Sequence, residues 1–129
     1  MTKRATTRKP AVRASVGTFA GRWRFIEFHD LDLEVDRTCV LTIKTSKAST
    51  DNSLRGEFVF DLCQGVLDGA VRVFGDETIA IFGYDAGWEM DALRGGGWMR
   101  LTGDGLIEGE FIGEGDLGLF TAKRIASTQ

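Results

Sequence analysis

LRGEFVFDLCQGVLDGAVRV, residues 54–73, decides the fold. Its first half alternates: Leu54, Gly56, Phe58, Phe60 and Leu62 share one side of an extended chain, with Arg55, Glu57, Val59 and Asp61 on the other. Successive side chains of a strand point to opposite faces, so this spacing predicts a half-buried strand. Gln64-Gly65 reads as a turn. Beyond it Leu67, Gly69, Val71 and Val73 fall on the inward side, with Asp68 and Arg72 outward. Two such runs joined by a short turn make an antiparallel hairpin. Glycines facing bulky residues suit a strongly coiled sheet, because a missing side chain permits sharp curvature.

The same grammar extends in both directions. Gly75-Asp76-Glu77, Gly103-Asp104-Gly105 and Gly113-Glu114-Gly115-Asp116 each separate runs rich in Val, Ile, Phe and Leu. Strands are predicted over 21–28, 38–44, 54–62, 66–73, 77–84, 96–102, 106–112 and 117–124. In the first, Trp23 and Phe25 oppose Arg22 and Arg24. The fifth is continuously apolar in its middle, and parity stays open in both the fifth and sixth strands, so the inward face of Phe82, Tyr84 and Trp98 is not fixed. Neighbouring strands pair most often and closure removes unprotected edges, so the expected architecture is all-β, an antiparallel up-and-down barrel of about eight strands. Residues 85–97 read as irregular, with 86–93 the best candidate for a short helical turn plugging one barrel end. Asp30, Leu31, Asp32, Leu33, Glu34, Val35 and Asp36 alternate acid with aliphatic, as a lid across the barrel mouth or an extended edge segment would.

At 129 residues and 14.2 kDa the chain is one domain, divided here into a disordered basic tail (1–17), the barrel (18–125) and a flexible C-terminus (126–129). Lys3, Arg4, Arg8, Lys9 and Arg13 give the first thirteen residues five cations and no acid. That leaves eleven of the 16 basic side chains against all 19 acidic ones. An acidic body repels phosphate backbones, so no nucleic acid is expected to bind through the barrel. The Arg-, Ser- and Thr-containing tail also has a transit-peptide composition, but it lacks the apolar core of a secretory signal. No apolar run is long enough to span a membrane. Cys39 and Cys63 are expected on neighbouring strands, with Cys39 facing nearer residue 59 or 60 than Cys63. Reduced thiols and a cytoplasmic location follow.

Chemistry-bearing constellations are sparse. One histidine, His29, with two cysteines matches no zinc spacing, and no phosphate loop or nucleophile elbow is present. The acidic run has Val35 and Leu41 where a calcium loop needs glycine and glutamate. No metal, cofactor or catalytic residue is therefore assigned. An enzymatic reading would rest on Glu27, Glu89 or Asp91 without a partner base. The expected ligand site gathers Trp88, Glu89, Asp91 and Trp98 at the barrel rim over Phe58 and Phe60 inside, since aromatics with a few charges at a barrel mouth suit a small ligand. The competing reading is a structural plug, with Glu89 paired to Arg94 or Arg100.

Gly21-Arg22-Trp23 resembles the Gly-x-Trp signature that opens the first strand of lipocalins and other calycin-type barrels. Glu89-Met90-Asp91, Gly95-Gly96-Gly97-Trp98 and the terminal Asp116, Phe120, Ala122 and Arg124 resemble a family of small uncharacterised bacterial proteins. Gly at the position before Trp98 and Leu117-Gly118 depart from that family's pattern. The resemblance implies a small β-barrel in bacterial cytoplasm, with Trp23 closing the floor and Arg124 stacked over its ring. The function expected is non-enzymatic binding of a small, partly apolar ligand in the barrel interior or mouth, with Trp23 among the lining residues. The alternative is an interaction module, without ligand, that associates through segment 29–36 or an exposed strand, into a homo-oligomer or with another partner.

Overall fold

The computed structural model describes residues 16–44, 53–75 and 77–125. A single-turn helix, α1 (Val16–Phe19), precedes eight strands: β1 (Gly21–Phe28), β2 (Val40–Lys44), β3 (Ser53–Phe60), β4 (Cys63–Phe74), β5 (Glu77–Trp88), β6 (Asp91–Leu101), β7 (Leu106–Gly113) and β8 (Gly118–Arg124). Every consecutive pair is antiparallel, and β1 also pairs with β8 from Trp23↔Arg124 to Phe28↔Phe120. The molecule is a closed eight-stranded up-and-down barrel. Residues 1–15 of the expected tail and the terminus 126–129 lie outside the described residues, and α1 starts within the segment assigned to the tail. Closure gives each strand two paired neighbours, although residues 71–74 at the end of β4 run past β3 and have no rung on that side among the described residues.

Ring-over-glycine packing sets the register. Phe58 lies opposite Gly65, Phe82 opposite both Gly69 and Gly97, Tyr84 opposite Gly95, and Phe120 opposite Gly109. A Cβ on Gly65 would stand 2.8 Å from the Phe58 ring, and one on Gly97 would stand 2.7 Å from that of Phe82. Phe58, Phe82, Tyr84 and Phe120 each fill the space that a cross-strand glycine vacates, which binds the strands together.

This packing corrects two expectations. The β3–β4 turn is at Asp61-Leu62, not Gln64-Gly65: Phe60 pairs with Cys63, and Asp61 adopts φ 52°, a left-handed conformation that aspartate tolerates. Leu62 consequently sits on the turn, 58% exposed, instead of in the core. Residues 85–97 are neither irregular nor helical. They form a continuous β5–β6 hairpin closed by Glu89-Met90, with Trp88 paired to Asp91. Gly95 and Gly97 there mark close ring approach, by Tyr84 and Phe82, rather than a loop.

Val73 was expected inside and is 65% exposed. The first β3–β4 rung is Ser53↔Ala70, so the tip of the β4–β5 hairpin runs past β3. Parity in β5 and β6 is settled by burial: Ala80, Phe82, Tyr84 and Met99 face inward, and Ile81 and Trp98 face outward.

The interior is a solid aromatic core. Phe111 stands at its centre, with ring centroids 5.0 Å from Phe58 and Phe120, 5.3 Å from Tyr84 and 5.7 Å from Phe82. Phe25 and Phe60 extend the cluster at 5.5 Å from one another, and Phe28 lies 4.5 Å from Phe60. Tilted and edge-on arrangements predominate, as the ring quadrupole favours.

Candidate functional site

The two ends of the barrel are closed by different means. At the floor, Trp23 is fully buried and its Nε1 donates to the Phe19 carbonyl of α1 at 2.9 Å. Arg124 of β8 lies 4.2 Å above the indole centroid and donates to the carbonyls of Ala20 (2.8 Å) and Thr18 (2.7 Å). One guanidinium thus caps the ring, by cation–π attraction, and ties down the chain entering β1. The stacking expected of Arg124 over Trp23 is present.

At the mouth, residues 29–39 form a strap between β1 and β2. Its alternation behaves as a lid: Leu31, Leu33 and Val35 pack half-buried against the core, and Asp30, Asp32, Glu34 and Asp36 face solvent. Few polar contacts pin it. Asp30 accepts the Leu119 N–H at 2.9 Å, and the His29 N–H donates to the Leu119 carbonyl at 2.8 Å. Gly118, at φ +78°, lets Asp30 approach so closely that a Cβ there would collide with its carboxylate. Thr38 donates through its backbone and hydroxyl to Asp36, which holds that carboxyl below the usual carboxylate range.

The expected site residues divide among four places. Trp23 is in the floor, and Phe58 and Phe60 are in the aromatic core. Trp88 is half-buried at the mouth, edge-on to Phe60 at 6.0 Å, with Glu89 and Asp91 exposed around the turn that follows. Trp98 is elsewhere: it lies on the outer wall, where its Nε1 donates to Glu110 at 3.0 Å. It therefore does not join Phe58 and Phe60 in lining one cavity, because the inward positions of its strand belong to Gly97 and Met99.

The charge pairing of the plug reading also differs. Arg94 pairs with Asp85 at 2.8 Å, and Arg100 with Glu77 and Glu108, so neither pairs with Glu89. Glu27 is exposed, 3.3 Å from His29 Nδ1, with the other ring nitrogen of His29 at 3.0 Å from the Thr121 hydroxyl. Among the described residues no three His, Cys, Asp or Glu side chains gather as a metal site, and no helix is long and apolar enough to cross a membrane.

Both cysteines are buried and free. They are not on neighbouring strands. Cys63 of β4 pairs with Phe60, and Val40↔Val59 puts Cys39 on the far side of Phe60. Two strand spacings, about 10 Å, separate them, beyond the roughly 7 Å a disulfide spans. Burial, aided by Asp61, pushes the Cys63 thiol from 9.0 up to about 11. Burial likewise raises the Tyr84 hydroxyl, which donates to the Glu114 carbonyl at 3.1 Å. Both groups are neutral when protonated, so each raised value stabilises the fold fully at neutral pH and is lost as pH rises. Thermal denaturation is expected to show a flat midpoint through neutrality and a fall from about pH 9 to 11, shallower in Cys63→Ala. An identical alkaline limb in both proteins would rule out the thiol as its source.

Sequence reasoning missed a groove of about 620 Å³ on the outer wall of β2, β3 and β4, lined by Val40, Thr42, Glu57, Val59, Leu62 and Val66 among others. Its sequence signal was Val59 and Val66, apolar residues on the outward parity.

A closed up-and-down barrel, locked at its floor by a tryptophan–arginine stack and covered at its mouth by a strap, is the class of protein that fold and site define. Comparison with protein-family models, curated proteins and solved structures finds no match for the chain.

Proposed function

We propose that this chain is a non-enzymatic binding protein of calycin type that takes a small, flat, partly apolar molecule into the mouth half of its barrel. The observation that carries the reading is the asymmetry of closure. The floor is held by a fully buried indole, a stacked guanidinium and three hydrogen bonds; the mouth is covered by three half-buried aliphatics on a strap whose start is tied by two hydrogen bonds to Leu119. Half-burying Leu31, Leu33 and Val35 contributes about 1 kcal/mol each, so lifting the strap costs on the order of 3 kcal/mol. An open state of below about 1% results, and a ligand that prefers it shifts the population. The ligand then packs against Phe28, Phe60 and Trp88, displacing the strap's aliphatics from an interior that is otherwise full. The Gly-x-Trp start and the Arg124 stack support calycin kinship. Buried, reduced thiols support a bacterial cytoplasmic setting.

Native mass spectrometry of the protein purified from its own host is expected to show a retained small molecule. Titration with a naphthalene-sulfonate probe is expected to quench Trp88 fluorescence, with no such signal in Trp88→Phe. In the Leu31→Ser, Leu33→Ser double variant the apparent affinity rises about tenfold or more, because a destabilised strap opens more often. A bare-chain mass, together with no Trp88-dependent quenching in either protein, overturns the reading.

A further inference from the structure

The barrel is electrically polarised along its axis. Strands β1, β3, β5 and β7 run from floor to mouth, so the strap and the three turns that follow β3, β5 and β7 all lie at the mouth. Each of these four connections is acidic. The strap carries four carboxylates; the turns add Asp61, then Glu89 with Asp91 beside it, then Glu114 and Asp116. Arg37 is the one lysine or arginine on them. Among the described residues none of these carboxylates is in an ion pair, because the nearby Arg94 is taken by Asp85. Cations collect at the other end: Arg22, Lys44, Arg55, Arg72, Arg100 and Arg124 all lie in the floor halves of their strands.

A second feature of the mouth favours the same sign of charge. Under the strap lie the rings of Phe28 and Phe60, with half-buried Trp88 edge-on to Phe60. The face of an aromatic ring is the negative part of its quadrupole and attracts a cation. We infer that the molecule taken up at the mouth is an organic cation, a flat apolar body bearing an ammonium group. This rests on the binding reading above and adds the charge of the ligand. The carboxylates do not form the site; they set the potential at one that the rings and the strap define. Burying an ammonium without a partner is costly, so the head stays in water at the rim while the body displaces the strap's aliphatics. An anion of the same shape meets the opposite field. The rim acts at a distance and not by chelation, since among the described residues no three of its carboxylates converge as metal ligands.

Two ligands of nearly one shape, 1-naphthylmethylammonium and 1-naphthylmethanol, make the test. Each displaces the naphthalene-sulfonate probe from the full chain, followed through the Trp88-dependent signal. At 10 mM salt, where the screening length is about 30 Å, the ammonium is expected to bind about tenfold tighter than the alcohol. At 1 M salt, where that length is about 3 Å, the advantage should shrink to about twofold. The anionic probe should tighten relative to the alcohol over the same range. Asp61→Asn with Glu89→Gln, both on exposed turns, should lower the ammonium's low-salt advantage about two- to threefold and leave the alcohol's affinity alone. Equal affinities of the pair at low salt overturn the inference and leave ligand binding standing. So does an advantage that neither salt nor the two substitutions change, which would deny the rim its part. Absence of any Trp88-dependent signal with the probe strikes the binding reading itself, and the ligand's charge falls with it.

Discussion

Trp23→Ala is expected to remove about 3–5 kcal/mol of folding stability, the range for deleting a fully buried large aromatic. A domain of this kind has about 5–15 kcal/mol in total, so much of the margin disappears with one side chain. The loss has three parts. The indole leaves a void at the floor that neighbouring backbone cannot fill. Its Nε1 bond to the Phe19 carbonyl goes, so α1 loses its anchor. Arg124 loses the ring it stacks on. Arg124→Met separates these parts, since it keeps an apolar cover over the indole but gives up the charge and the bonds to Ala20 and Thr18. That variant is expected to lose about 1–2 kcal/mol, from a cation–π contact and partly exposed hydrogen bonds. Urea unfolding followed by far-ultraviolet circular dichroism reads both. A loss below about 1 kcal/mol in Trp23→Ala would show that the floor is not a structural lock, and the asymmetry between the barrel ends would go with it.

Phe111→Ala is the second large effect, also about 3–5 kcal/mol. Phe111 contacts the rings of Phe58, Phe60, Phe82, Tyr84 and Phe120. Across its two ladders stand Gly97 and Gly118, which have no side chains to move into the gap. The surroundings therefore relax little, and the cavity remains. A dry, ring-lined cavity of this size, on the order of 100 Å³, admits benzene. Benzene is thus expected to restore part of the lost stability in proportion to its concentration, by preferential binding to the folded state. Should Phe111→Ala lose little and ignore benzene, the aromatic core is deformable, and the register argument built on rings over glycines fails.

The strands themselves were legible because their evidence is local. In β1 and β3 the alternation of Trp23, Phe25, Leu54, Phe58 and Phe60 with charged residues needs only the two-residue period of an extended chain. The strap was legible for the same reason: acid and aliphatic alternate from Asp30 to Asp36, and only one of the two sets is worth burying. Turns were less so. Gln64-Gly65 has the composition of a turn, yet Gly65 is a rung of β4 because Phe58 needs its empty side-chain position. Gly95, Gly96 and Gly97 read as loop for want of a partner, and the partners, Tyr84 and Phe82, become visible only when β5 lies alongside. Trp98 was misplaced although Arg94 and Arg100 share its parity and Met99 and Leu101 take the other, because an aromatic beside three glycines was read as part of an irregular rim instead of a strand.

By itself the order of residues determined that this chain forms consecutive antiparallel strands, how many, and which face of most of them is apolar, because each follows from the alternation of neighbouring side chains. Tertiary structure alone decided where β3 turns, that Trp98 leaves the ligand-lining set for the outer wall, and which end of the barrel is locked. Those outcomes depend on whether a ring on one strand finds a vacancy on another, a matter of packing between residues far apart in the chain.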